Sequence, residues 1–259
     1  MAGFKIPVFE RGTVLTQEML ESLKGYAVDL GNLSYTDYSD GILSGCRVTM
    51  SGNILYVGRG MVMFSGNLYF IPEGMSVMIH PGNHWQILRL QVGNLSRDKN
   101  FLIGELQLEL VSEQEESENQ IEICRFRLQN GAMLRNEYRD FNDLSTEFDT
   151  INEIHAKWSG YCDKTIANRI LVEFAREARK RNASNPQDML FIQQILNLNG
   201  KTMNREAILY YLSTRLNRPY QEMTNAEIYK ALCQVLQICR RGTEGRTERN
   251  REVRRMIVD

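Results

Sequence analysis

Apolar positions change their spacing near residue 145. Before it, short apolar runs are separated by Gly and Asn. After it, apolar residues recur every three or four positions and glycine becomes rare. Alternation marks strands with one covered face, and a period near 3.6 marks helices. One helical stripe comes first: Met19, Leu20, Leu23, Tyr26, Ala27 and Leu30. Thr16 is its predicted N-cap, Glu18 complements the dipole of its first turn, and Gly31-Asn32 is its predicted end. A ladder of short runs follows, at 46–50, 54–57, 61–64, 68–71, 75–79, 85–92, 101–111 and 121–128. Gly-containing turns such as Ser51-Gly52-Asn53 and Ser65-Gly66 divide them. In 101–111, Leu106, Leu108 and Leu110 face one way and Glu105, Gln107 and Glu109 the other. That pattern predicts a half-buried antiparallel strand. The acidic stretch between it and the last strand reads as a solvated hairpin tip.

The second half predicts four amphipathic helices with readable caps. Residues 164–181 place Ile166, Ile170, Leu171, Phe174, Ala175 and Ala178 on one face. Asn185-Pro186 opens the next helix as N-cap and first-turn proline, and Gly200 stops it. Asn204 caps a third, carrying Ile208, Leu209, Leu212 and Leu216. Thr224 and Glu227 form a capping box for a fourth, carrying Ile228, Leu232, Val235, Leu236 and Cys239, which Gly242 is predicted to end. Four such helices can bury one another as a bundle. The expected fold is α+β: an N-terminal antiparallel β-sandwich with one leading helix over 1–145, a small helical bundle over 146–242, and a charged tail over 243–259.

Composition adds little chemistry. The 259 residues carry 31 Lys and Arg against 32 Asp and Glu, so no global field attracts nucleic acid or acidic lipid. Five scattered cysteines (Cys46, Cys124, Cys162, Cys233, Cys239) form no C-x-x-C pair and read as free thiols in a reducing compartment. The first residues have no apolar core of a secretory signal, and no apolar run approaches the ~20 residues of a membrane span. Assembly in the cytoplasm is the expectation.

The candidate chemical motifs have simpler readings. His80 and His84 have a metal-ligand spacing, but Pro81-Gly82 between them forbids a regular helix. His155 precedes Cys162 without an evident orienting group. Ser44-Gly45 and Ser65-Gly66 lack a nucleophile-elbow context, and Gly58-Arg59-Gly60 is not followed by a helix. Glu113, Glu115, Glu116 and Glu118 lack the spacing of a calcium loop. No catalytic, cofactor or metal residue is assigned, and the chain is not expected to be an enzyme.

The tail is the one stretch with a candidate binding role. Arg246, Arg249, Arg251, Arg254 and Arg255 interleave with Glu244, Glu248 and Glu252 before the apolar tip Met256, Ile257 and Val258. Three readings stay open: an exposed helix with charge ladders, a tether whose tip docks in a partner's groove, or a nucleic-acid contact weakened by the glutamates.

Fourteen positions also carry a resemblance. Gly12, Val14, Leu15, Thr16 and Leu20 match a "G-x-v-L-T-x-x-x-L" opening; Gly41, Ile42, Ser44, Gly45 and Val48 match a "G-i-x-S-G-l-x-V" strand, with Cys46 in place of the usual leucine. Leu55, Val57, Gly60 and Gly66 match the strand pair that follows. This order resembles phage baseplate and tail proteins, and the layout is similar to the baseplate adaptor of type VI secretion systems. The resemblance implies a structural component of a contractile phage-tail-like particle, acting as an oligomeric adaptor through a shoulder-like β-sandwich. It implies binding to itself, with a trimer as the family's usual state, and to other baseplate or tail subunits, with no cofactor. The competing class is a nucleic-acid-binding regulator using the helical half and the arginine tail. A hydrolase on the sandwich would need converging carboxylates that the sequence does not assemble.

Overall fold

A computed structural model describes residues 5–99, 101–112, 119–181 and 183–253. Helix α1 (Gln17–Ser34) leads. Eleven short strands follow: β1 (Gly41–Gly45), β2 (Val48–Ser51), β3 (Ile54–Val57), β4 (Gly60–Phe64), β5 (Asn67–Ile71), β6 (Met75–Met78), β7 (Trp85–Val92), β8 (Ser96–Arg97), β9 (Leu102–Ile103), β10 (Leu106–Val111) and β11 (Gln120–Arg127). After a 3-10 turn (Asn142–Ser145) come α2 (Asn168–Lys180), α3 (Pro186–Leu196), α4 (Arg205–Leu216) and α5 (Asn225–Val253). The class is α+β, with the strands antiparallel and the helical region C-terminal, as the periodicities predict.

The strands form three-stranded sheets ordered β1-β4-β5, β2-β3-β6 and β10-β7-β11, plus the small β8-β9 ribbon. Turn chemistry fixes the registers. Ser65 and Gly66 both have positive φ, so they close a two-residue hairpin of the twist that strand pairs prefer, opposing Phe64 to Asn67. All three sheets feed one core: Ile42 and Val62 from the first, Val48 and Leu55 from the second, Leu88 and Phe126 from the third. The alternation in β10 holds, with its leucines half-buried and Gln107 and Glu109 exposed.

The helices enclose a second core. Helix α2 packs on α3 and α5, and α4 packs on the same two, closing a four-helix ring. Phe174 sits at its centre, edge-on to Phe141, Phe191 and Tyr211. The predicted caps form. Asn185 and Asn204 accept the N–H groups of Gln187 and Glu206, while Thr224 and Glu227 cap each other reciprocally. The connecting segment binds both halves. Ile42 exchanges backbone hydrogen bonds with Lys157 and Ser159, and Arg125 with Asn152. Trp158 packs against both cores.

Three expectations change. Helix α1 runs to Ser34, past Gly31-Asn32. Residues 101–111 are two strands, because Gly104 turns against the Tyr69 ring, where an added Cβ would lie 3.1 Å away. Gly242 does not end α5, whose backbone continues to Val253. A glycine inside a helix, here Gly242 and again Gly245, costs only about 1 kcal/mol, and Arg240, Arg241, Glu244 and Arg246 around them are good helix formers. The acidic hairpin tip at 113–118 lies outside the described residues.

Candidate interaction surface

The sequence marks an apolar stripe on α1, and no residue of this helix is buried. Thr16 caps it, accepting the Met19 N–H at 3.3 Å. The preceding segment runs alongside: Lys5 Nζ lies 2.9 Å from Glu18, and Ser22 donates to the Lys5 carbonyl at 2.6 Å. The Lys5–Glu18 pair is fully exposed and so contributes little. Only near its C-terminal end does the helix approach the sheets closely, where an added Cβ on Gly31 would meet Leu68 at 3.2 Å. Its apolar side chains face outward, with Tyr26 at 58%, Leu30 at 56% and Leu33 at 75% exposure. Phe70, on the strand that α1 leans on, is 62% exposed. Eleven large apolar side chains between Ile6 and Leu33 are exposed. At roughly 100 Å² each they carry on the order of 1,000 Å². Five of them, Leu20, Leu23, Tyr26, Leu30 and Leu33, share one helix stripe and carry about 500 Å², the size of the largest and often functional apolar patch on a typical monomer, about 300–600 Å². The stripe was legible in the sequence; its outward direction was not. Leu33, which lies beyond the predicted helix end, was missed, although its spacing from Tyr26 and Leu30 continues the stripe.

The tail residues divide in two. Arg246, Arg249 and Arg251 lie on the C-terminal part of α5, so their backbone is helical. Arg254, Arg255, Met256, Ile257 and Val258 lie outside the described residues. The tail and the α1 arm are thus separate candidates at opposite ends of the chain.

The other motifs sit in turns or in structural networks. His80 and His84 are exposed; the His84 ring bonds the Gly82 carbonyl at 2.6 Å, and Gln86 donates to the His80 carbonyl at 2.9 Å. Among the described residues, no group of three metal-ligating side chains converges. His155 is half-buried. Burial, then the neighbouring Arg125, lowers its pKa, so the ring is neutral at pH 7. Cys162 is exposed in a left-handed turn, its N–H on the Asp37 carbonyl at 2.7 Å. Burial pushes the Cys46 thiol up to about 12 and the Cys239 thiol up to about 11, and Cys124 well above its usual value. Those three are protonated at neutral pH and poor nucleophiles.

A cleft of about 640 Å³ lies between β1–β2 and α2–α3. Its ionisable groups are engaged with one another. Arg169 reaches Glu153 at 3.1 Å and the Asn136 carbonyl at 2.7 Å, and it stacks over the Tyr138 ring at 4.8 Å. Burial raises the Glu153 pKa against the opposing pull of Arg169. Arg176 pairs with Glu173 at 2.5 Å. The arrangement is that of a joint holding two cores together, with no aligned nucleophile and base. Among the described residues, no helix is long and apolar enough to cross a membrane.

No protein-family profile and no curated protein matches the sequence. Among solved structures, the chain is similar to one from the type VI secretion system TssK-TssF-TssG baseplate subcomplex. The TM-score is 0.44 at 9% identity, covering 92% of this chain and 100% of that one. It is also similar to TssK itself (TM-score 0.37, 9% identity, 92% of this chain and 69% of that one). A chain of the type VI secretion baseplate complex gives a TM-score of 0.38 at 11% identity, covering 92% and 99%.

Proposed function

We propose that this chain is a structural, non-catalytic subunit of a contractile phage-tail-like particle, an oligomeric adaptor of the baseplate or tail. The observation that carries the reading is the apolar arm at residues 5–34, whose α1 stripe faces outward with none of the helix's residues buried. The body beneath it suits a scaffold. Its strands are fixed by left-handed turns, and the cleft between β1–β2 and α2–α3 is lined by the ion pairs Arg169–Glu153 and Arg176–Glu173. The motif positions that resemble baseplate and tail proteins serve that body: Val48, Leu55 and Val57 are core, and Gly41, Gly45 and Gly60 stand where backbones nearly touch. In this reading 1–145 is the shoulder-like unit, 146–242 the helical unit and 243–259 a tether, with Arg246, Arg249 and Arg251 leading to the apolar tip. Its partners are other copies of itself and neighbouring subunits, and it assembles in the cytoplasm.

Co-expression with the proteins encoded beside its gene tests this. A stoichiometric complex burying more than about 1,000 Å² per contact is expected. No complex with any of them, together with DNA binding whose affinity falls steeply with salt, would overturn the reading in favour of a nucleic-acid-binding regulator.

A further inference from the structure

We infer that α1 is a self-association helix, and that the occupant of its exposed face is α1 of a second copy of this chain. The inference rests on the assembly role proposed above and names one partner for it. Met19, Leu23, Tyr26, Leu30 and Leu33 are spaced four, three, four and three residues apart. That is an unbroken heptad seam, with Leu23 and Leu30 at the a positions and the other three at d. Leu20 and Ala27 fall at e and widen the stripe to three positions in seven, the width of a bundle-forming face. No charge occupies a, d or e. Glu21, Lys24 and Asp29 lie at f, b and g, and of the apolar residues in the helix only Val28 falls outside the stripe.

Such a repeat is shaped for another helix of the same kind. Knobs at a and d need holes formed by four residues of a facing helix, and a heptad face supplies both. Among the described residues no helix is packed along it: α1 leans chiefly on the edge strand β5, near its C-terminal end, and none of its residues is buried. The surface available matches the need. The stripe's five exposed side chains, Leu20, Leu23, Tyr26, Leu30 and Leu33, carry about 500 Å² at roughly 100 Å² each, close to the apolar share of the ~800 Å² per partner of a stable interface. At 18 residues the helix is too short to associate strongly alone, so the folded body that presents it is part of the device.

The whole chain, at 30.0 kDa, is expected to sediment as a multiple of that mass over roughly 1 to 100 µM. Leu23→Glu with Leu30→Glu should return it to one chain's mass with unchanged far-UV circular dichroism, because neither side chain supports the core. Tyr26 lies at the midpoint of α1, where it meets its counterpart in either helix orientation. In a Cys162→Ser background, Tyr26→Cys should therefore cross-link between copies on mild oxidation, and Glu21→Cys, on another face, should not. A wild-type chain that stays monomeric throughout overturns the inference, as does a double variant that keeps its mass, or equal cross-linking at the two positions. Loss of a neighbouring subunit's binding in the double variant with no change in mass would assign the face to that subunit instead. A monomer that still binds its gene neighbours refutes only this inference, whereas a self-associating chain that binds none of them refutes the wider assembly role.

Discussion

Two glycines with the same backbone angle separate strain from crowding. Gly45 and Gly66 both have φ of +72°. Around Gly66 an added Cβ meets nothing within 4 Å. At Gly45 it would overlap the Arg59 carbonyl oxygen and lie 2.7 Å from Gly60 Cα, where β1 crosses β4. Gly66→Ala should therefore cost only the left-handed penalty of about 1–2 kcal/mol. Gly45→Ala should cost more, about 3 kcal/mol or above, because backbone must move as well. Urea denaturation of the two variants measures the difference. Asp143 makes a second prediction at this scale. Arg135 holds its two oxygens at 2.6 and 2.7 Å, while the Arg139 N–H and the Thr146 hydroxyl donate at 2.8 and 2.7 Å. The Arg135 guanidinium is the main cause that holds this carboxyl well below the usual range. A depressed folded pKa favours the ionised form. The stability it contributes is therefore complete above the unfolded value, about 3.9, and is lost as pH falls through that value and below. Asp143→Asn should cost about 1.5–3 kcal/mol at neutral pH and flatten the decline of stability below about pH 4. Melting temperatures from about pH 2 to 7, which span the ionised plateau and the decline below the unfolded value, would show it.

Helix ends were largely legible and helix faces only partly so, for a physical reason. A cap is a local event: Asn185, Asn204 and the Thr224–Glu227 box each satisfy backbone donors within three residues, so sequence spacing suffices to place them. The direction of a stripe is a tertiary event. The apolar residues of α2 and those of α1 have the same periodicity, yet Ile170, Leu171 and Phe174 are buried and Leu23, Leu30 and Leu33 are not. The break at Gly104 also depends on a distant ring, Tyr69, whose approach the local spacing does not show. Buried polar partners are hidden in the same way. Asp188 sits in the first turn of the helix predicted to open at Asn185-Pro186, and it joins three helices. Its Oδ1 accepts from Tyr211 at 2.8 Å and from Arg215 at 2.7 Å, and its Oδ2 lies 3.4 Å from the Cys239 thiol. Tyr211 in turn stacks flat on Phe191 at 3.8 Å. Removing one member of a buried pair leaves the other charge unanswered, so Asp188→Ala should destabilise by about 3–5 kcal/mol. Replacing exposed Glu206 by Ala on the neighbouring helix should change stability by no more than ~0.5 kcal/mol. Denaturant midpoints of the two variants test whether the bundle is pinned at this point.

At the scale of the whole molecule, the chain divides its work between a body and an arm. The two cores are joined by backbone hydrogen bonds from Ile42 and Arg125 to the connecting segment, by Trp158 between them and by the Arg169–Glu153 pair at the cleft. Those links are buried or half-buried, and none passes through residues 5–34. The arm's links to the body are few: the approach of Gly31 to Leu68, and packing along β5. Burial stabilises a fold in proportion to apolar area removed from water, and the arm removes little within one chain. Deleting residues 1–34 should therefore leave the body folded, at a cost of about 1 kcal/mol or less, a drop of roughly 2–4 °C in Tm for a domain of this size. Thermal melts well below ~1 µM, where copies separate, read the body alone. Melts at a hundredfold higher concentration add whatever the arm contributes between copies, since binding that occurs only in the folded state raises apparent stability with concentration. The intact chain should then gain Tm with concentration and the deleted one should not. If both respond alike, the arm does not link copies; if the deleted chain fails to fold, the arm belongs to the body after all, and its exposure has been misread.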